Sequence, residues 1–99
     1  MNDATDIAAL EQQARECSQR GDTAGIRQAC LAILERQPGH LSSLGFLAEQ
    51  AARSGSFEEA EGYLRRALEV SPADENFHAQ LGQVLYRQGK LEAAVAAYQ

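Results

Sequence analysis

A length of 99 residues allows one domain, in which folding hides only about 60–65% of the surface of the unfolded chain. Ala and Leu dominate the 44% apolar content, Trp is absent and β-branched residues are few, a composition that favours helix over sheet. The net charge of −5, with nine basic residues spread along the chain, leaves no basic stripe for nucleic acid, and no apolar run reaches the roughly 18 residues that a membrane span requires. The first residues, Met1 to Asp6, are acidic where a secretory signal would be basic and then apolar, so a cytoplasmic address is expected. Residues 41–74 carry six acids against three Arg, whereas 7–40 and 75–99 each balance to zero, so the middle segment sets the sign of the field.

The apolar spacing predicts six helices in chain order. The first spans 7–20: Asp6 stands at its cap, Ile7, Leu10 and Ala14 share a face, and Gly21 ends it in the left-handed conformation that glycine adopts without strain. The second spans 23–37, capped by Asp22, with Ile26, Cys30, Ile33 and Leu34 on one side and Pro38 as its stop. The third, 42–54, aligns Leu44, Leu47, Ala48 and Ala51 within about 100° and ends at Gly55. For the fourth, 57–71, Ser56 and Glu59 form a capping-box pattern. Glu58, Glu59 and Glu61 fall at the positive end of its dipole, Glu61 and Arg65 make an i,i+4 pair, and Pro72 follows the last turn. The fifth, 75–88, takes Asp74 as its cap, and the sixth, 91–99, follows Gly89. Short turns force neighbouring helices to pack antiparallel.

The same landmarks recur every 34 residues: Gly21, Gly55 and Gly89; Pro38 and Pro72; the polar positions Asp6, His40 and Asp74. Beginning the units at Ile7, Leu41 and Glu75 aligns Ala14 with Ala48 and Gly82, Ile26 with Ala60 and Ala94, and Cys30 with Leu64 and Tyr98. The chain therefore reads as a single domain, 1–99, of units 7–40, 41–74 and a truncated 75–99. Cys17 and Cys30 match no zinc or redox spacing and take core-facing positions, where a free Cys packs as a small hydrophobe.

A helix-turn-helix period of 34, with small residues at its eighth and twentieth positions, resembles the tetratricopeptide repeat (TPR) family. Residues 41–74, LSSLGFLAEQAARSGSFEEAEGYLRRALEVSPAD, look like a full copy, with Leu44, Leu47, Ala48, Gly55, Ala60, Leu64, Ala67 and Pro72 at the landmarks of that family. Residues 75–99 depart at His78, where a large aromatic is usual and where the His is read as its surrogate in the core, the alternative being a functional group. The first unit is looser, with Gln13 at a usually apolar position. The resemblance implies an all-α fold, a right-handed α-α superhelix of about two and three-quarter repeats. It also implies a scaffold whose first helices line a concave groove for a peptide or helix of a protein partner.

Helical geometry places positions 2, 5, 6, 9, 12 and 13 of each unit on the face opposite the core. Among them are Arg15; Phe46, Glu49 and Arg53; and Gln83, Tyr86 and Arg87, which together make the expected groove. Arg53 and Arg87 share a register one unit apart, with Phe46 and Tyr86 nearby, a surface suited to an acidic segment; the alternative is that they are solvated surface arginines. Chaperone-binding members of the family hold a terminal carboxylate with a clamp of Lys, Asn, Asn, Lys and Arg. The matching residues here are Glu11, Arg15, Phe46, Asn76 and Gln80, none of which agrees, so a chaperone-type clamp is not expected.

No phosphate loop, metal spacing or activated nucleophile is evident, so neither catalysis nor a cofactor or metal is expected. The last helix stops two turns in, which predicts that Leu85, Leu91, Ala94, Val95 and Tyr98 stand open and that the open end pairs with a second copy or with further chain. Two functions follow. One is an interaction module working through its groove. The other is the non-catalytic N-terminal arm of a larger bacterial enzyme, a sulfotransferase, glycosyltransferase or hydroxylase, serving substrate recruitment or dimerisation.

Overall fold

The computed structural model describes residues 3–98 and the side chains of 7–97. Six helices follow in order: α1 (Asp3–Gln19), α2 (Thr23–Arg36), α3 (Leu41–Arg53), α4 (Phe57–Val70), α5 (Glu75–Arg87) and α6 (Leu91–Tyr98). There is no strand among the described residues. Each helix packs chiefly on the one before it and the one after it. The stack measures 46 × 26 × 18 Å, two helix diameters thick, so the core is confined to the seam between its layers.

The turns inside the repeats are of one kind. Gly21, Gly55 and Gly89 take φ of 72°, 82° and 81°. The residue after each sends its N–H back into the preceding helix: Asp22 to the Cys17 carbonyl, Ser56 to Ala51 and Lys90 to Leu85, at 2.8–2.9 Å. This Schellman closure satisfies carbonyls that a helix end would otherwise leave unpaired. Starts of helices are less uniform. Asp22 accepts from Gly25 N–H at 2.9 Å and Asp74 from Phe77 N–H at 3.0 Å, as the spacing predicts. His40 completes the series by accepting from Ser43 N–H through Nδ1. Two expectations fail. Ser56 makes no side-chain cap, so the capping box with Glu59 does not form, and the turn instead rests on its backbone closure. At the first start, α1 begins at Asp3, so Asp6 lies within the helix, with its side chain outside the described residues.

Two apolar clusters fill the seam. Cys30, Leu34, Leu44, Leu47 and Ala67 close the first joint between units. Ala48, Ala51, Ala60, Leu64, Leu81, Val84, Leu85 and Ala94 close the second. Ala48 and Ala60, at 2% and 0% exposure, are what let α3 and α4 approach closely. Cys17 and Cys30 are free and buried. His78 is not the core aromatic of its unit: its Nε2–H donates to the Pro72 carbonyl at 2.7 Å, and the neighbouring Phe77 packs against both clusters instead. The expected open end is also smaller than the sequence suggests. Leu91 and Val95 stand 57% exposed, but Leu85 and Ala94 are buried by the packing of α5 on α6, and the Tyr98 side chain lies outside the described residues.

Position 21 of each unit differs in kind at successive joints. Arg27 reaches Glu59 of the next unit at 3.8 Å, a loose exposed pair. Glu61 instead accepts from Gln88 at 2.9 Å and Lys90 at 3.2 Å across the second joint, and from Arg65 at 2.7 Å within α4. These donors, Arg65 first, hold its carboxyl down to about 2. In the third unit the position is the exposed Val95.

Candidate peptide groove

The exposed face of α1, α3 and α5 carries two clefts. The first, about 310 Å³, lies between α1 and α3, with Ile26, Ile33 and Cys30 of α2 as its floor and Arg15 and Phe46 at its sides. At its base His40 links the first two units. Nε2–H donates to Glu11 Oε2 at 3.1 Å, while Nδ1 lies 2.8 Å from Ser43 Oγ and accepts from the backbone N–H of the same residue at 3.3 Å. The carboxylate therefore fixes the tautomer that lets the ring act as a helix cap. Order of carboxylate, imidazole and hydroxyl is that of a nucleophilic triad, but Ser43 is 1% exposed, so its hydroxyl is closed to a substrate and the arrangement is positional. Burial pushes the Cys30 thiol up, against an opposing hydrogen bond with Ser43, and so keeps it in its unreactive form.

The second cleft, about 490 Å³, lies between the C-terminal halves of α3 and α5. Ala52 and Val84 form its floor, Phe57 at the start of α4 its wall, and Arg53, Gln83, Tyr86 and Arg87 its rim. Glu49 lines an adjoining cleft of about 320 Å³ that shares Ala52, Arg53, Gln83 and Val84 with the second. Arg53 pairs with Glu49 at 2.7 Å on its own helix, and Arg87 places its guanidinium 5.1 Å from the centre of the Phe57 ring. Tyr86 is 62% exposed.

The seven residues expected to form the groove thus divide between the two clefts: Arg15 and Phe46 at the first, and Glu49, Arg53, Gln83, Tyr86 and Arg87 around the second. Phe46 is not the aromatic beside Arg53 and Arg87, because it turns into the first cleft and packs against the core. Sequence reasoning missed Phe57, which belongs to a second helix and so fell outside a search of first helices. Its signal was available: position 17 is Thr23, Phe57 and Leu91 in the three units, an apolar residue beside the turn in two of them. The Glu11–His40–Ser43 chain was also missed, since 29 residues separate its first two members.

Comparison with known proteins gives three findings. The family described as "Bacterial transcriptional activator domain" (BTAD) matches residues 34–99. "FK506-binding protein-like" of Mus musculus is 33% identical over 69 residues, 70% of this chain and 20% of that protein; its counterpart in Rattus norvegicus is 36% identical over 67 residues, 68% and 19%. In structure, an O-GlcNAc transferase of Thermobaculum terrenum matches with a TM-score of 0.79 and 30% identity, over 98% of this chain and 19% of the transferase. The chain spans about a fifth of the length of each of these proteins. The all-α superhelix of TPR-like repeats, expected from the 34-residue period, is the fold of the chain. No helix among the described residues is long and apolar enough to cross a membrane.

Proposed function

We propose, from the premise that this chain belongs to the bacterial transcriptional activator domain family, that it is a protein-interaction module. Its work is to receive a peptide or helix of a partner across the face of α1, α3 and α5. The observation that carries this reading is the second cleft: an apolar floor, an aromatic wall and convergent polar groups on rigid helices are what a peptide-binding surface requires. Arg15, Phe46, Glu49, Arg53, Gln83, Tyr86 and Arg87 are the residues proposed to meet the partner. The chain has no chaperone-type clamp in this reading, because Glu11 is committed to His40 where the clamp would place a cation. In this reading the module serves a transcriptional activator, the kind of protein for which its family is described. Nuclear magnetic resonance titration with a partner-derived or library-selected peptide tests it: shifts should concentrate on these seven residues, and shifts confined to α2, α4 and α6 would refute it.

A second reading has its own support in the likeness to a segment occupying 19% of a glycosyl-transferring enzyme. In it the chain is the non-catalytic arm of a larger enzyme, recruiting substrate or dimerising it. Leu91 and Val95, both exposed on α6, are then the surface on which a second copy or following chain packs. Sedimentation at high micromolar concentration should show self-association that Val95→Lys abolishes; a strict monomer excludes the dimer.

A further inference from the structure

At both joints of the stack a second helix meets the following unit through position 21, Arg27 facing Glu59 and Glu61 facing Gln88 and Lys90. Position 17 takes part at the second joint, where Phe57 lies under the guanidinium of Arg87. On α6 these two positions are Leu91 and Val95, one helical turn apart on one face and each 57% exposed. Only Glu92 is charged in this helix. The surface that continues the two polar joints is therefore apolar.

What covers position 21 at the second joint is a pair of residues flanking the glycine that closes a first helix. Gln88 and Lys90, on either side of Gly89, both reach Oε1 of Glu61, at 2.9 Å and 3.2 Å, so two side chains converge on one position of the helix beneath. Resting on the exposed α6 surface of the second reading above, we infer that Leu91 and Val95 dock a helix of a partner protein closed by the sequence apolar–Gly–apolar, its two apolar side chains standing over Val95 as Gln88 and Lys90 stand over Glu61. Val95 offers no acceptor, so an amide or ammonium set against it loses water and gains no hydrogen bond, whereas apolar side chains gain from the burial. A further copy docked head to tail does not fit. The glycine turns of this chain are flanked by Arg20 and Asp22, by Ser54 and Ser56, and by Gln88 and Lys90, all of them polar.

The test titrates the full chain, followed by nuclear magnetic resonance, with two end-capped peptides copying residues 74–90, one keeping Gln–Gly–Lys at its end and one carrying Leu–Gly–Leu there. The Leu–Gly–Leu peptide should shift the amide signals of α6, and the Gln–Gly–Lys peptide should bind there at least about fivefold more weakly, since its ammonium finds no acceptor. Val95→Glu restores the acceptor of the second joint and should invert that order. Val70→Glu, the same change at another exposed valine, should leave the order as in the wild type. Equal binding of the two peptides on α6, or an order that Val95→Glu does not invert, overturns the inference. Sedimentation separates it from the reading on which it rests. A dimer that Val95→Lys abolishes, with neither peptide shifting α6, overturns the inference and keeps the dimerising arm; a strict monomer that shows the inverted order does the reverse.

Discussion

Replacing Glu61 by Gln isolates the strongest electrostatic contact between two units of the stack. The drop of its carboxyl from an ordinary 4.5 to about 2 sets an upper bound of roughly 3 kcal/mol on what the charged form contributes. Its side chain is 17% exposed, but Arg65 and Lys90 are 54% and 49% exposed, and solvent screening reduces the contribution to about 1–2 kcal/mol. For a domain of this size that is a fall of about 5–10 °C in Tm near neutral pH. The folded group ionises more readily than the unfolded one, so its stabilisation is complete above about pH 5 and disappears as pH falls through 4.5 towards 2. Urea denaturation followed by circular dichroism, on wild type and Glu61→Gln across that range, should show two stability curves that are parallel near neutrality and converge in acid. A difference that stays constant down to about pH 2.5 would refute the assignment of the shift to Glu61.

Other expectations follow from the capping and packing geometry. Asp74→Ala removes an acceptor bonded to Phe77 N–H and should cost about 1 kcal/mol, whereas Ser56→Ala, at a position without a side-chain cap, should change stability by less than about 0.5 kcal/mol; equal losses on denaturation would contradict the structure. Gly25→Ala would set a Cβ 2.6 Å from both Cys17 Sγ and Asp22 Oδ2, and thermal melts should register about 1–3 kcal/mol of destabilisation. A peptide ending in the acidic C-terminal motif of a chaperone should bind no tighter than about millimolar by calorimetry, because Glu11 stands at the sequence position where the clamp would carry a cation. Micromolar affinity would show that the departures from the clamp do not matter.

The fold was legible because its signals are local and redundant. Gly21, Gly55 and Gly89 mark turns by their own backbone chemistry, and Leu44, Leu47 and Ala48 reveal a buried face by spacing alone. One failure is local and the others come from contacts beyond the residue's own helix. Ser56 has the right neighbours in sequence for a capping box, yet the geometry of its turn leaves its side chain unbonded. His40 looked like an irregular member of the polar series, and its capping role depends on Glu11 from another helix fixing its tautomer. Phe57 became part of the candidate site only because the following unit brings Arg87 over its ring. His78 lost the expected core role because Phe77, one residue earlier, already fills it.

The changing residue at position 21 makes the stack anisotropic in its response to solvent. Arg27 and Glu59 form an exposed long-range pair that salt weakens, while Glu61, held by three donors, is the contact that yields to acid. Ionic strength therefore loosens the α1–α2 end relative to the middle, and acid loosens the middle relative to the α5–α6 end. The two joints of one stack therefore answer to different solution variables, the first to ionic strength through Arg27 and Glu59 and the second to pH through Glu61.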